Sequence, residues 1–577
     1  MKLSGAQILC ESLKREGVEV IFGLPGGAVL PLYDALYDYV NRRELRHVLV
    51  RQEAGAGHAA EGYARVTGKV GVCLASSGPA CTNLVTALAD AYVDSMPIVA
   101  FTGQVPTHLI GNDAFQEADN VGLSRACTKH NYLVKEVKDL APTVKEAFYI
   151  ARSGRPGPVH VDLPQDVLLK QAEFAYPEKI FLRSYNPTVE GHSGQIKKAA
   201  QAILGARRPI LYVGGGVINA DAAPELRELA EAARIPVTTT LMAIGAFPGD
   251  HPLNLGMLGM HGAWYANTAV LRTDLLIAVG TRFDHRVTGR LDAWCPEAEV
   301  IHIDIDPTSI ARNFHVEIPI VGDARHVLAR LNRELRSLDD GSWKEGREAW
   351  WEQIQAWKAQ HPLAYERTDT VIKPQHVIEE ASRLTAHRDP IVATDVGQHQ
   401  MWAGQYFVVR EPRHWVTSGG LGTRGYGLPA AIGAAVARPD ALVLALLGDG
   451  SFQVNMQELA TVVEERLPIK IALVNNRGHG MVRQWQELFH DRRFIGSDLT
   501  VGPDYVALAE AFGVLGLRAA APAEVTATWE RALAHAGPVL MDFQVDPEEA
   551  CFPMVPAGAA VKDMLLAKPK RGRPEEA

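Results

Sequence analysis

A chain of 577 residues is too long for one hydrophobic core and predicts about three to four domains at ~150 residues each. With 47% hydrophobic and 22% charged residues the composition is that of an ordinary globular protein, and a formal charge of −9 excludes the broad positive field that a nucleic-acid partner needs. Six cysteines without a CxxC or metal spacing predict free thiols in a reducing cytoplasm, and no apolar run has the length of a membrane span.

The N-terminal stretch MKLSGAQILCESLKREG meets Glu11, Lys14, Arg15 and Glu16 too early for a secretion signal; it reads as an amphipathic helix with Ile8, Leu9 and Leu13 inward. Through residue 175, strands are predicted at 18–22, 47–51, 70–75, 98–102 and 159–162, with helical stretches between them. Such alternation describes a parallel sheet covered on both faces. Two glycine-rich turns, GLPGG at 23–27 and SSGP at 76–79, follow strands and open helices. Glu53 stands just past the second strand, at the start of AGAGHAAEGYARVTG. Alone, such a carboxylate only complements a helix N-terminus, worth ~0.3–1 kcal/mol.

Residues 176–194 carry proline, glycine and charge without period and are predicted as a linker. A second α/β pattern spans 195–338: a strand at 210–213 ending in Gly214, Gly215 and Gly216, a helix at 222–233, a strand at 237–240, then LLIAVGTRFD and VIHIDIDP. It lacks a strict GxGxxG, so it reads as a nucleotide-binding type of sheet with the ligand left open. In the charged stretch that follows, which carries Trp343, Trp350, Trp351 and Trp357, Trp350 and Trp357 lie two turns apart and are expected to pack against a domain. The third domain is placed at 374–548, with strands near Ile391, Trp415, Leu442, Ile471 and Val539, and a tail at 549–577. The tail's Arg571-Gly572-Arg573-Pro574 resembles a minor-groove arm, but a solvated end is expected. The fold class is α/β, three doubly wound parallel-sheet domains.

Residues 441–485 carry the most chemistry. An apolar run at 441–447 ends at Gly448-Asp449-Gly450; helical spacing follows through Phe452, Met456, Leu459, Ala460 and Val463; a second apolar run at 469–474 stops at Asn475-Asn476. In a parallel sheet both strand ends share one edge, so Asp449 and Asn476 converge. A carboxylate, an amide oxygen and a spare carbonyl suit Mg²⁺ bound with a phosphate, and the helix start after Ser451 suits the anion. Either motif alone is commonly only a turn. Paired at the two ends of one βαβ unit, they resemble the signature of thiamine diphosphate enzymes. That resemblance implies Asp449, Asn476 and the carbonyl of Gly478 as metal ligands, and Glu53 as the carboxylate at N1′ of the coenzyme's pyrimidine, which leads to loss of the C2 proton.

Long stretches resemble one family more closely, the catalytic subunit of acetolactate (acetohydroxyacid) synthase. They include FGLPGGAVLPLYDAL, RQEAGAGHAAEGYAR, SSGPACTNLVTALADAYVDSMPIVAFTGQVP, IGNDAFQEAD, GRPGPVHVDLP, LGMHGAWYAN, TRFDHRVTGRLDAW, TDVGQHQMWA, GYGLPAAIGAA and GMVRQWQELF, and the match covers nearly the whole chain. It implies a pyrimidine-binding first domain, an FAD-binding central domain and a diphosphate-binding third domain. The coenzyme then bridges the first domain of one subunit and the third of its partner, in a homodimer or homotetramer that admits a small regulatory subunit. The implied reaction is decarboxylation of pyruvate and ligation of its hydroxyethyl unit to pyruvate or 2-oxobutyrate, in branched-chain amino-acid biosynthesis.

Carried over residue by residue, coenzyme contacts fall at Pro25, Ser77, Asn83 and Gln116 in the first domain. In the third they fall at Val396, Gly397, Gln398, His399, Gly422, Arg424, Gly448, Gly450, Ser451, Gly480, Met481 and Val482. Phe115 and Gln116 are implied over the thiazole. Arg286 is implied to receive the acceptor carboxylate, a task suited to a planar fork, and Trp485 to wall the acceptor pocket, where one methylene is worth ~1–3 kcal/mol. Flavin contacts are implied at Arg155, Gly214, Gly215, Gly216, Leu241, Met260, His261, Gly262, Gly280, Arg282, Asp284, Asp304, Ile305 and Asp323, for a flavin that does no net redox chemistry in this family.

Four positions depart from the family pattern. Arg424 stands where a methionine usually props the coenzyme, His285 where a second aspartate is common, Gln165 where lysine is common, and RGHG follows Asn476 where a bulky residue usually precedes GMV. A guanidinium ~4 Å from the thiazolium at an effective dielectric near 20 would cost about 4 kcal/mol, so Arg424 is expected to turn away or pair with a carboxylate. Two alternatives share the fold: another thiamine diphosphate carboligase or 2-oxo acid decarboxylase, and a catalytically weakened paralogue marked by Arg424.

Overall fold

The structure, a computed structural model, describes residues 1–339, 341 and 344–569. The expectations for Trp343 and for the basic motif at Arg571 lie outside those residues. Three six-stranded sheets organise the chain, all of their pairings parallel, and a small antiparallel pair joins Lys2–Ser4 to Gln171–Glu173.

With strands numbered in chain order within each sheet, the first and third share the order 2-1-3-4-6-5. The first runs Arg46–Leu49, Val20–Gly23, Gly71–Ala75, Ile98–Gln104, Val159–Pro164, His130–Leu133. The third runs Trp415–Val416, Ile391–Thr394, Val443–Gly448, Lys470–Asn475, Val539–Gln544, Leu515–Ala519. The second has the order 3-2-1-4-5-6, with Pro209–Val213 and Leu275–Val279 at its centre, the arrangement that binds dinucleotides where strand order reverses. Central strands such as Val443–Gly448 and Lys470–Asn475 are buried at every residue, as a sheet covered on both faces requires.

The first and third units meet through two helices, Glu53–Thr67 and Gly427–Ala437, and one hydrophobic cluster runs from Phe22 and Val48 to Leu447 and Ile471. The contact is backbone to backbone: a Cβ on Gly62 would collide with the Ala430 carbonyl, and one on Gly433 with the Ala59 carbonyl. The predicted N-terminal helix spans Gly5–Arg15 with Ile8, Leu9 and Leu13 buried. Trp350 and Trp357 meet edge to face, and the Trp350 indole N–H donates to the Pro209 carbonyl of the second sheet.

The structure differs from the sequence reading in its edge strands and in one helix. His130–Leu133, Asn254–Met257, Ile318–Val321 and Leu515–Ala519 are strands that apolar periodicity missed; each lies at a sheet edge and none is buried at every residue. The helix read through Phe452 to Val463 is broken into Asp449–Phe452, a 3₁₀ turn at Met456–Glu458 and Leu459–Glu464, which brings the Glu458 carboxylate to the Arg51 amide at 2.9 Å.

Candidate active site

In the third sheet the strand order reverses between Ile391–Thr394 and Val443–Gly448, and a cavity opens at their carboxyl ends. Its lining includes Gly397, Gln398, His399, Gly448, Asp449, Gly450, Ser451, Asn476, Gly478, Gly480 and Met481, so the predicted metal and diphosphate residues are brought together. Asp449 is 2% exposed, and burial pushes its carboxyl up to about 7 although the Gly450 and Gly478 amides lean the other way. A buried acid in want of positive charge, beside an amide side chain and a turn of small residues, fits a divalent cation carrying a diphosphate. Asn476 donates to Gln398 Oε1 at 3.2 Å, and Gln398 donates to Gln484 Oε1 at 2.8 Å, which fixes both amides. His399 leaves Nε2 buried without a partner, and burial holds the ring neutral with its pKa down at about 3.

The loop over this cavity is held from two sides. Asp395 accepts the amides of Gly425 at 3.0 Å and Gly427 at 2.8 Å. Ser418 accepts those of Gly422 at 3.1 Å and Thr423 at 3.0 Å, and itself donates to Asp90 Oδ1 at 2.8 Å. Asp94 accepts the Gly419 and Gly420 amides at 3.2 and 2.7 Å. Asp90 and Asp94 belong to a buried charge network that the sequence reading missed. Arg65 donates to Glu61 and Asp94, each at 2.6 Å, and to the Tyr426 hydroxyl at 2.7 Å, with His58 beside Asp90. Burial and the Asp94 charge push Asp90 up to about 7, and burial with the Asp90 charge raises Glu61 well above its usual range.

The residues expected from the first sheet are elsewhere. Glu53 opens the helix Glu53–Thr67 and accepts from Asn83 Nδ2 at 3.0 Å. Ser77 is buried, while Pro25, Asn83, Phe115 and Gln116 are exposed, Phe115 at 89%. The turn at Gly78 sits against the Gln116 backbone, which gathers the loops after the first sheet's strands at their carboxyl ends. Neither Glu53 nor these neighbours line the Asp449 cavity or the larger one described next. Within one chain the residues expected to form one site therefore lie in two separate places.

A cavity of about 690 Å³ opens at the reversal point of the second sheet. Arg155, Gly214 to Gly216, Leu241, Met260, His261, Gly280, Arg282, Asp284, Asp304, Ile305 and Asp323 border it; Gly262 does not, being turned against the backbone of Leu258. Gly214 and Gly280 touch through their backbones, so the crevice floor is peptide, as close approach of a dinucleotide needs. Its size and donor set fit a flavin nucleotide. The same cavity extends to Gly422, Arg424, Met481, Val482, Trp485 and Arg286, whose guanidinium lies 5.5 Å above the Trp485 ring. Of the two outcomes expected for Arg424, turning away or pairing with a carboxylate, the pairing is not found among the described residues. Its guanidinium has no ion pair or hydrogen bond among the described residues and lies on the lining of both cavities.

Comparison with known proteins places these halves in context. Family profiles for the thiamine pyrophosphate enzymes match residues 3–123 (N-terminal TPP binding domain), 196–331 (central domain) and 395–543 (C-terminal TPP binding domain). The chain is 51% identical over 573 residues to an acetolactate synthase of Mycobacterium bovis, covering 98% of this chain and 92% of that one. It is 47% identical over 574 residues to the acetolactate synthase isozyme 3 large subunit of Escherichia coli, covering 99% of each. A probable acetolactate synthase large subunit of Methanocaldococcus jannaschii is 47% identical over 584 residues, covering 99% of this chain and 97% of that one.

Proposed function

The chain belongs to the acetolactate synthase family of thiamine pyrophosphate enzymes, with that family's transferase function, and from that premise we propose how its residues divide the work. The reaction is decarboxylation of pyruvate and ligation of the hydroxyethyl unit to pyruvate or 2-oxobutyrate, serving branched-chain amino-acid biosynthesis in the cytoplasm. The observation that carries this reading is the convergence of Asp449, Asn476 and Gly478 around a buried, un-neutralised carboxylate.

Asp449, Asn476 and the Gly478 carbonyl would hold Mg²⁺, and Gly450 and Ser451 would border the diphosphate. Thiamine diphosphate, when bound, supplies a carbon acid that becomes a nucleophile and then an electron sink. Glu53 holds and returns the proton at the pyrimidine ring nitrogen, through a carboxylate that Asn83 orients. Because Glu53 borders neither cavity of its own chain, that carboxylate comes from a second copy, in a homodimer or a larger homo-oligomer with one small regulatory subunit as a further partner. Arg286 binds the acceptor's carboxylate bidentately, and Trp485 holds that guanidinium by its ring face while bounding the space beside it. The residues from Arg155 to Asp323 that border the crevice of the second sheet would hold FAD, which would close that side of the site to water.

Purified protein given pyruvate, thiamine diphosphate, Mg²⁺ and FAD is expected to release acetolactate. Acetaldehyde, acetyl phosphate or no product would overturn the assignment of the reaction.

A further inference from the structure

Arg424 is fixed at its root and free at its tip. The amide before it, Thr423 N, donates to Ser418 Oγ at 3.0 Å and the amide after it, Gly425 N, to Asp395 Oδ1 at 3.0 Å. Gly422 and Gly425 on either side take φ of +76° and +89°, which a side chain would strain. The backbone of residue 424 therefore has little room to shift, and only the side chain chooses where its charge goes.

That charge has access to the Asp449 end of the site, because Arg424 borders the Asp449 cavity as well as the larger one. Arg424 lines the small cavity together with His399 and His479. Those two rings frame the diphosphate turn: His399 Nδ1 lies 2.7 Å from where a Cβ on Gly448 would stand, and His479 Nδ1 lies 2.6 Å from the corresponding point on Gly450. Arg424 is thus the one permanent side-chain cation among the described residues of that lining, opposite the single carboxylate of Asp449. A diphosphate that brings one divalent ion to Asp449 still leaves the assembly negative. The acceptor carboxylate has its own arginine, Arg286, seated over Trp485.

We propose that Arg424 is a direct ligand of the coenzyme's diphosphate, so that this chain anchors its coenzyme from the loop above as well as from the metal below. The inference rests on the coenzyme reading of the Asp449 cavity. It also resolves the repulsion expected between a guanidinium and the thiazolium: paired with the diphosphate, the guanidinium is neutralised by the same molecule that carries the ring cation. A charge-assisted contact of this kind weakens with salt more than the uncharged contacts around it.

The test measures binding without turnover. Protein stripped of cofactors is titrated with thiamine diphosphate at saturating Mg²⁺, reading tryptophan fluorescence or heat, for the unaltered chain, Arg424→Met, Arg424→Gln and Arg424→Lys. Expected is a loss of about tenfold or more in affinity for the Met and Gln variants, a smaller loss for Lys, and a salt dependence that flattens in the first two. Thiamine without its diphosphate should bind all four alike. Equal affinities for thiamine diphosphate, within about twofold, overturn the proposal, as does a variant whose only change is a raised KM for pyruvate, which would place the guanidinium on the substrate. An unaltered chain that binds the coenzyme but releases no acetolactate sinks the proposed reaction while leaving this comparison decisive; one that binds no coenzyme sinks both.

Discussion

The first and third sheets have the same strand order and differ in what covers their reactive edges. The edge of the third is walled into a cavity by the loops after its strands, with Asp449 2% exposed. The edge of the first is open: Phe115 is 89% exposed, and Asn83 and Gln116 face solvent beside Glu53. One topology thus provides, in a single chain, an enclosed cavity around Asp449 and an open edge around Glu53. Separation of the two within the chain is what a site completed across a two-fold axis requires, because each copy then offers its open edge to the other's closed one.

The largest expected effect comes from disabling the open half alone. Glu53→Gln should slow exchange of the coenzyme's C2 proton about 10²–10⁴-fold, followed by NMR in deuterated solvent, with coenzyme affinity nearly unchanged. Mixing Glu53→Gln chains with Asp449→Asn chains, each inactive, should then restore roughly a quarter of the normal activity, since half of randomly formed dimers carry one intact site. No recovery after subunit exchange would put both halves in one chain and break the comparison.

Next comes the clamp between the halves. Arg65→Met leaves the buried carboxylates of Glu61 and Asp94 without their cation, and a loss of about 3–5 kcal/mol in denaturant titrations is expected. Stability should recover in part at low pH, where those acids are neutral. A smaller effect belongs to the closed half. Its Asp449 carboxyl, raised to about 7 from an ordinary value near 4, keeps a proton in the folded metal-free chain that the unfolded chain releases. In that window the folded state binds more protons, so stability of the metal-free chain falls as pH rises from about 4 to 7. Mg²⁺ displaces the same proton, so calorimetry in buffers of different ionisation heat should show proton release, and affinity should fall up to about tenfold per unit below pH 7. The smallest change is Trp485→Leu, which should shift the ratio of 2-oxobutyrate to pyruvate products by about tenfold and leave proton exchange untouched.

Much of this was legible before the structure. Asp449 and Asn476 could be paired on paper because two wholly apolar runs of strand length ended at them, and a parallel sheet puts such ends on one edge. The crevice of the second sheet was marked by the glycines at 214–216 without a formal fingerprint, and its ligand was left open by the residues themselves. The charge network was not legible as a network. His58, Glu61 and Arg65 follow helical spacing and look like a solvated stripe; only the packing of Glu53–Thr67 against Gly427–Ala437 turns that stripe inward, toward Asp90 and Asp94 from a different helix. The absence of a carboxylate partner for Arg424 among the described residues was equally hidden, since the loops that could supply one are distant in sequence. The edge strand Leu515–Ala519 escaped for a simpler reason: exposed on one side, it lacks the apolar run that marks its neighbours.

The short turn at residues 93–95 touches all three units at once. The Val93 carbonyl and Ser95 hydroxyl accept from Arg155 at 3.4 and 2.8 Å, the Ser95 carbonyl accepts from Asn219, and Asp94 carries the Gly419 and Gly420 amides. Residues 93–95 and 418–422 also border the crevice of the second sheet. A dinucleotide seated there would stiffen the same backbone that shapes the coenzyme's loop. If that stiffening tightened the hold on a ligand of the loop, reciprocity would demand the converse by an equal factor, making the two cavities heterotropic partners within one subunit.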